Sequence, residues 1–279
     1  AQDKKLFFEQ AHTLLQTRAM RREPVKSDNT YFPHTGSPKA IVILAAYQDT
    51  TFTLPNPRKS FQQFLNGEGH PQDYGHGENW NASSVQQYFK DMSFGKFTPQ
   101  FDVYGPVTLP HELAYYGGTD PNGGGEKFTE LITDACKLMD DSLDFSAYDA
   151  NNDGYVDLVY VVYAGYGQNM GAKNETMWPK AGTITPYLTA DGKKVYRSGI
   201  SNELIGNEKD SKPKMISGIG LFCHEFSHCM GLPDFYPTLA SARGDNQGME
   251  AWSLMDGGEY TANGWCPTAY TAWEREAMG

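Results

Sequence analysis

A chain of 279 residues with 39% hydrophobic content is long enough for one large core or two small ones, and too apolar for disorder to be the default. Its formal net charge of -11 comes from acids scattered along the chain with no basic stripe, which removes the electrostatic footprint of nucleic-acid or anionic-membrane binding. No apolar run approaches the roughly 20 residues that span a bilayer; the longest, AIVILAAY at 40–47, has the length of a buried strand.

In chain order, AQDKKLFFEQAHTLLQ interrupts its apolar residues with Lys, Glu and His, so it reads as an amphipathic helix ending near Arg22 and not as a signal peptide. If the protein is exported, its signal has already been removed. A loose Pro/Ser/Asn segment follows, with a boundary near residue 38, dividing an extension (1–37) from a main domain (38–279). The pattern then predicts a strand at 40–47, a helix around SSVQQYFKDMS, a strand at FTPQFDVYG, and a helix around EKFTELITDACKLM. A β-rich run LVYVVYAGYG occupies 158–167, and a loop-rich region is expected from there to about 215. Without internal repeats, this order predicts one α/β domain with an irregular second half.

The chemistry concentrates in CHEFSHCMGLPDFY at 223–236. On a helix His224 and His228 lie one turn apart on one face, so two imidazoles can grip one ion. Glu225 between them is placed to take a proton from water and pass it to a leaving amine. Leu221, Phe222, Phe226 and Met230 surround the pair with apolar residues, as a buried site needs. Gly231 can end the helix in a left-handed conformation and turn the chain back. Asp234, three residues on, then becomes the third ligand, in the HExxHxxGxxH layout with Asp in the last place. Two imidazoles and a carboxylate suit zinc.

At this point the chain resembles the immune inhibitor A family of secreted bacterial zinc endopeptidases, grouped with the metzincins, whose motif reads HExxHxxGLPDxY. The similarity continues at SVQQYFKDMSFGKF, FDVYGPVTLP, DGYVDLVYVVYAGYG, MWPK, WSLMDGGEY and NGWCPTAYTAWERE, together covering about residues 38–279. The resemblance implies a zincin-like α/β (α+β) catalytic domain: a twisted mixed sheet, a backing helix, an active-site helix and a loop-rich lower part. It implies protein or peptide substrates and a Met-turn with Met255 as the floor under the metal. It also implies a zymogen, so residues 1–37 are either the end of a pro-segment or a helix packed permanently on the domain. Further domains can follow Gly279. The lower edge strand, which in metzincins pairs with extended substrate, is expected near Tyr163 to Gly167. Tyr260 and Tyr236 are the candidates for stabilising the oxyanion.

A second constellation, DANNDGYVD at 149–157, resembles the first nine positions of an EF-hand. Asp149, Asn151, Asp153, the Tyr155 carbonyl and Asp157 are the oxygens that calcium would use. Tyr160 stands at the twelfth position in place of Glu, so only a short structural variant is expected. The other histidines, His12, His34, His70, His76 and His111, show no ligand spacing. Of Cys136, Cys223, Cys229 and Cys266, the middle two cannot pair across an intact helix, where they lie roughly 9 Å apart along the axis. Either each pairs with one of the outer two, or all four are buried thiols. Two other functions compete with the peptidase: a non-catalytic calcium-stabilised binding module, and a zinc hydrolase of non-peptide amides.

Overall fold

The computed structural model describes residues 31–67, 81–118, 126–210, 214–238, 241 and 248–279. The expected N-terminal helix, together with His12, His70 and His76, lies outside them.

Among the described residues, five strands form one sheet in the order β2-β1-β3-β5-β4. β1 (Lys39–Ala46), β2 (Gln100–Thr108), β3 (Val159–Tyr166) and β5 (Lys193–Leu204) run parallel, while β4 (Lys180–Ala190) is an antiparallel edge. β1 and β3 read as nearly unbroken apolar and Tyr runs because both faces of the sheet are covered, the usual condition of parallel strands,. The two-residue period sorts them into two cores. Val42, Leu44, Tyr160 and Val162 pack with Phe89 of α2 (Val85–Met92) and with Phe222 and Phe226 of α5 (Ile219–Cys229). Ile41, Ile43, Val159 and Val161 pack on the other face with Leu131 and Ile132 of α4 (Phe128–Met139).

The expected loop region after 167 is corrected: it holds a long β-hairpin. β4 and β5 are joined at Asp191-Gly192, whose φ values of 47° and 74° are the paired positive angles of a tight hairpin turn,. The Asp-Gly pair was the available signal. Polarity hid the strands, since β4 carries Pro186 beside a register shift on an open edge,. β5, for its part, buries Ser198, Ser201, Asn202 and Glu203. The hairpin also displaces the expected edge strand. Tyr163 to Gly167 belong to or follow β3, which is interior and paired on both sides, and the edge is β4. A helix that the sequence reading passed over, α1 (Pro57–Asn66), starts with Pro57 in its first turn and the Asn56 side chain accepting from the Lys59 N–H,. A short α3 (Leu113–Gly117) lies ahead of α4, and α6 (Ala272–Met278) closes the chain.

Within the segment assigned to the N-terminal extension, Phe32 is wholly buried. Its N–H donates to the Cys229 carbonyl at 2.9 Å and its ring centroid lies 5.1 Å from that of Phe226. All four cysteines are free thiols in this structure, but only three are buried: Cys266 is exposed, against the expectation of four buried thiols. Cys136 sits in the core on one side of the sheet while Cys223 and Cys229 sit in the other, so the sheet separates the partners that either fully bridged pattern requires.

Candidate metal centre

α5 is buried along almost its whole length, with only His228 partly open. Its first turn is held by the Asn81 side chain, whose Oδ1 accepts from the Ile219 N–H at 2.9 Å. The helix ends at Gly231, whose φ of 103° lets the chain reverse,. This reversal carries Asp234 back over the helix. His224 Nε2 and His228 Nε2 lie 3.1 Å apart, and Asp234 Oδ1 lies 3.3 Å from the first and 3.1 Å from the second. Among the described residues, these are the three acidic, thiol or imidazole side chains whose ligand atoms gather within 4.8 Å of one another.

The outer nitrogens decide what the inner ones can do. His224 Nδ1 faces the Leu254 carbonyl at 2.8 Å and His228 Nδ1 faces the Leu232 carbonyl at 2.7 Å. A carbonyl only accepts, so each Nδ1 carries the hydrogen and each neutral ring turns a bare Nε2 lone pair inward. Asp234 Oδ1 is buried with no well-aligned donor. With both rings neutral, three acceptors thus converge on one point, which fits a cation of the zinc type.

The local field favours positive charge at this point, whether a proton or a metal ion supplies it. Burial opposes charge on His224, but the carboxylates of Glu259, Asp234 and Glu225 outweigh it and push its pKa up to about 10. Burial likewise works against the Asp234 carboxylate, and the two imidazoles hold it well below the usual range. Glu225, buried beside them, is pushed up by desolvation against the pull of the imidazoles, the direction that suits a proton carrier,.

His224, Glu225, His228, Asp234 and Tyr236 line one wall of a cleft, and Trp178 to Ala181, leading into edge strand β4, line the other. That wall is braced by Glu126, which accepts from the Trp178 N–H at 2.5 Å and pairs with Lys180. Of the two tyrosine candidates, Tyr236 lines the cleft beside Asp234, its phenol pushed up by burial and then by that carboxylate. The Tyr260 hydroxyl accepts from Asn169 Nδ2 at 3.2 Å and is absent from the cleft lining. Met255 is wholly buried, and its carbonyl accepts from the Phe235 N–H at 2.8 Å, next to Asp234.

Residues 42–278 match the family profile described as "Immune inhibitor A peptidase M6, catalytic domain". The chain belongs to this family. It is 27% identical over 217 residues to Immune inhibitor A of Bacillus thuringiensis subsp. alesti, covering 69% of this chain and 31% of that protein. It is 23% identical over 219 residues to the pre-pro-metalloprotease PrtV of Vibrio cholerae serotype O1 (strain M66-2), covering 71% and 24%. The chain therefore spans about a quarter to a third of these relatives' length. Among solved structures it is similar to wild-type OgpA from Akkermansia muciniphila at 16% identity and a TM-score of 0.35, over 91% of this chain and 62% of that one. So low a score supports nothing further. The M6 profile and the metalloprotease relative make the chain a metallopeptidase domain.

The Asp149–Asp157 loop is arranged differently. Asp149 Oδ1 accepts from the Asp153 N–H, and its Oδ2 accepts from the Gly154 N–H and from Lys193 Nζ at 2.6 Å. Asn151 Oδ1 accepts from Asp153, Asp153 Oδ1 from Tyr155, and Asp157 Oδ2 from Ala150. The loop is stitched to the start of β5, with the Val156 N–H donating to the Lys194 carbonyl at 2.9 Å. Tyr160, at the twelfth position, packs on Phe222 in the core. Sequence reasoning missed three participants: Lys193, which follows the hairpin turn; Glu126, behind the cleft wall; and Glu259, within the quoted MDGGEY. Of these, an acid beside a Gly pair in the Met255 segment was the only signal on show.

Proposed function

We propose that this chain is the catalytic domain of an exported, zinc-dependent endopeptidase that cleaves peptide bonds in protein substrates. One observation carries the reading: two imidazoles and a carboxylate converge on a point with their hydrogens tied away, and Glu225 stands beside them in a cleft bordered by a free sheet edge. His224, His228 and Asp234 would hold zinc. Bound there, zinc supplies Lewis acidity to a water molecule and to the scissile carbonyl. Glu225 takes the proton of the attacking water on its carboxylate and delivers it to the leaving amine. The edge strand β4, entered from Trp178, offers the backbone groups of its open side to an extended peptide, which orients the bond to be cut. Tyr236 is the better placed of the two phenols to donate to the developing oxyanion, and Met255 underlies the site by packing.

Export is supported by the relative named as a pre-pro-protein. Calcium is the ion that the oxygens of Asp149, Asn151, Asp153, Tyr155 and Asp157 suit. It would share Asp149 with Lys193, so its role is secondary and stabilising. The experiment is zinc analysis with casein digestion by wild type and Glu225→Ala. The expected result is about one zinc in both proteins and a loss of about 10²–10⁴-fold in cleavage rate in the variant. A wild type without zinc, or one no faster than the variant, sinks the reading and leaves the binding-module alternative. Zinc without casein cleavage, but with hydrolysis of small amides, favours the non-peptide amidase.

A further inference from the structure

We propose that Glu259 is a positioning residue that acts on metal binding through His224. The inference rests on the metal-centre reading above.

The segment Gly257–Gly264 follows Met255 and lies directly against the start of α5. The contact is backbone on backbone. A Cβ at Gly220 would fall 2.0 Å from the Glu259 carbonyl oxygen, and one at Gly218 would fall 2.1 Å from the Gly264 carbonyl carbon. The glycines thus fix the height of Glu259 along the helix without relying on a flexible side chain. His224 lies one turn beyond Gly220 on the same face. The Glu259 carboxylate reaches this ring, with Oε1 3.9 Å from His224 Nδ1, whose hydrogen bond goes to the Leu254 carbonyl. Its other oxygen, Oε2, is buried without a well-aligned hydrogen-bond partner, the residue is 6% exposed, and the Tyr260 hydroxyl is the other polar group beside the carboxylate.

A buried carboxylate oxygen with no well-aligned donor costs stability, so packing alone would be better served by an uncharged side chain of the same size. The favourable partner that answers the charge most strongly is His224, ahead of the Tyr260 hydroxyl. A carboxylate behind the Nδ1–H side polarises the ring and strengthens Nε2 as a donor, and it fixes the tautomer that leaves Nε2 bare. It also adds negative charge against a divalent cation at a site whose direct ligands carry only one.

The test is metal affinity of wild type, E259Q and E259D, by competition with a chromophoric chelator for zinc and by the visible absorption of the cobalt-loaded proteins. E259Q keeps the size and loses the charge. Its zinc affinity is expected to fall about 10–100-fold, while chelator-treated E259Q unfolds at the same temperature as chelator-treated wild type or higher. E259D, with the charge on a shorter arm, falls between the two in affinity and shifts the cobalt band. If E259Q does not fold, E259D carries the test, and an unshifted band with wild-type affinity overturns the proposal. Wild-type affinity in E259Q overturns it too, as does a loss of affinity equalled in E259D and accompanied by lower thermal stability of both chelator-treated variants, which marks a packing role. A wild type that takes up no metal overturns the metal-centre reading, and the inference falls with it.

Discussion

The turn after α5 and the loop before β3 use the same side-chain chemistry to opposite ends. Around Asp234, the carboxylate oxygen that meets the two histidines has no aligned donor, and the histidines have given their own hydrogens to carbonyls. Around Asp149, both oxygens of that carboxylate and one oxygen each of Asn151, Asp153 and Asp157 already accept a backbone N–H, and the Asp149 charge is met by Lys193. The first arrangement leaves a convergent set of lone pairs for a cation from outside. The second has used at least one lone pair of most of its side-chain oxygens on its own fold. A motif rich in Asp and Asn therefore says less about ion binding than the whereabouts of the N–H groups that compete for its oxygens.

Removing one carboxylate from each region should separate them. Asp234→Ala takes a direct ligand from the centre, so zinc affinity is expected to fall by more than the ~10–100-fold of losing an outer partner, with proteolysis lost in step and the unfolding temperature of the chelator-treated protein little changed. Asp149→Ala should leave zinc content at the wild-type level. It removes the partner of Lys193 and of two N–H groups, a cost of about 1–3 kcal/mol, kept toward the low end because the lysine side chain is 25% exposed. Zinc loss in Asp149→Ala, measured on the dialysed protein, would collapse the distinction.

Acidity offers a second handle. His224 is pushed up to about 10 by the carboxylates around it, so at lower pH the metal must displace a proton from it. Zinc affinity should therefore climb with pH, about tenfold per unit for each proton displaced, and level off only above that value. Asp157 is pushed up by burial, and then by Asp149 and Asp153, to about 6. Proton competition in that loop ends there, so calcium binding should be flat from neutral pH upward. Zinc titrations at pH 6, 7 and 8 that superimpose would contradict the first expectation.

How legible these regions were follows from the same contrast. The HExxH spacing, the glycine that turns the chain and the aspartate three residues later are local in sequence, and the structure brings together the side chains that the spacing nominates. Likewise β1, β3, α2 and α4 follow from periodicity because their partners are apolar. What escaped was non-local or disguised. Lys193 reaches Asp149 only because an Asp-Gly turn folds β5 back beside the loop. Phe32 was assigned to the extension although it is core, because a single aromatic in a Pro/Ser-rich stretch carries no period. A trimmed chain should accordingly keep it. The edge role was given to β3 because the true edge, β4, has the mixed exposure and internal proline that sequence patterns score as loop.

The smallest effect is also the one that addresses Lys193 itself. If its ammonium is the cation of the Asp149 loop, Lys193→Met leaves Asp149 Oδ2 with the Gly154 N–H alone among its present partners, and the variant melts below wild type by a few degrees. Calcium at millimolar concentration should then restore most of that loss, because a hard divalent ion can take over the charge and add the oxygens of Asn151, Asp153 and the Tyr155 carbonyl. The same calcium should raise the melting temperature of the wild type by less, since there it must compete with a lysine placed by the hairpin. Melting curves of both proteins with calcium and with a chelator settle the matter. A wild type that gains as much as the variant would mean that Lys193 swings aside, and the loop would then resemble the metal centre more closely than its hydrogen bonds suggest.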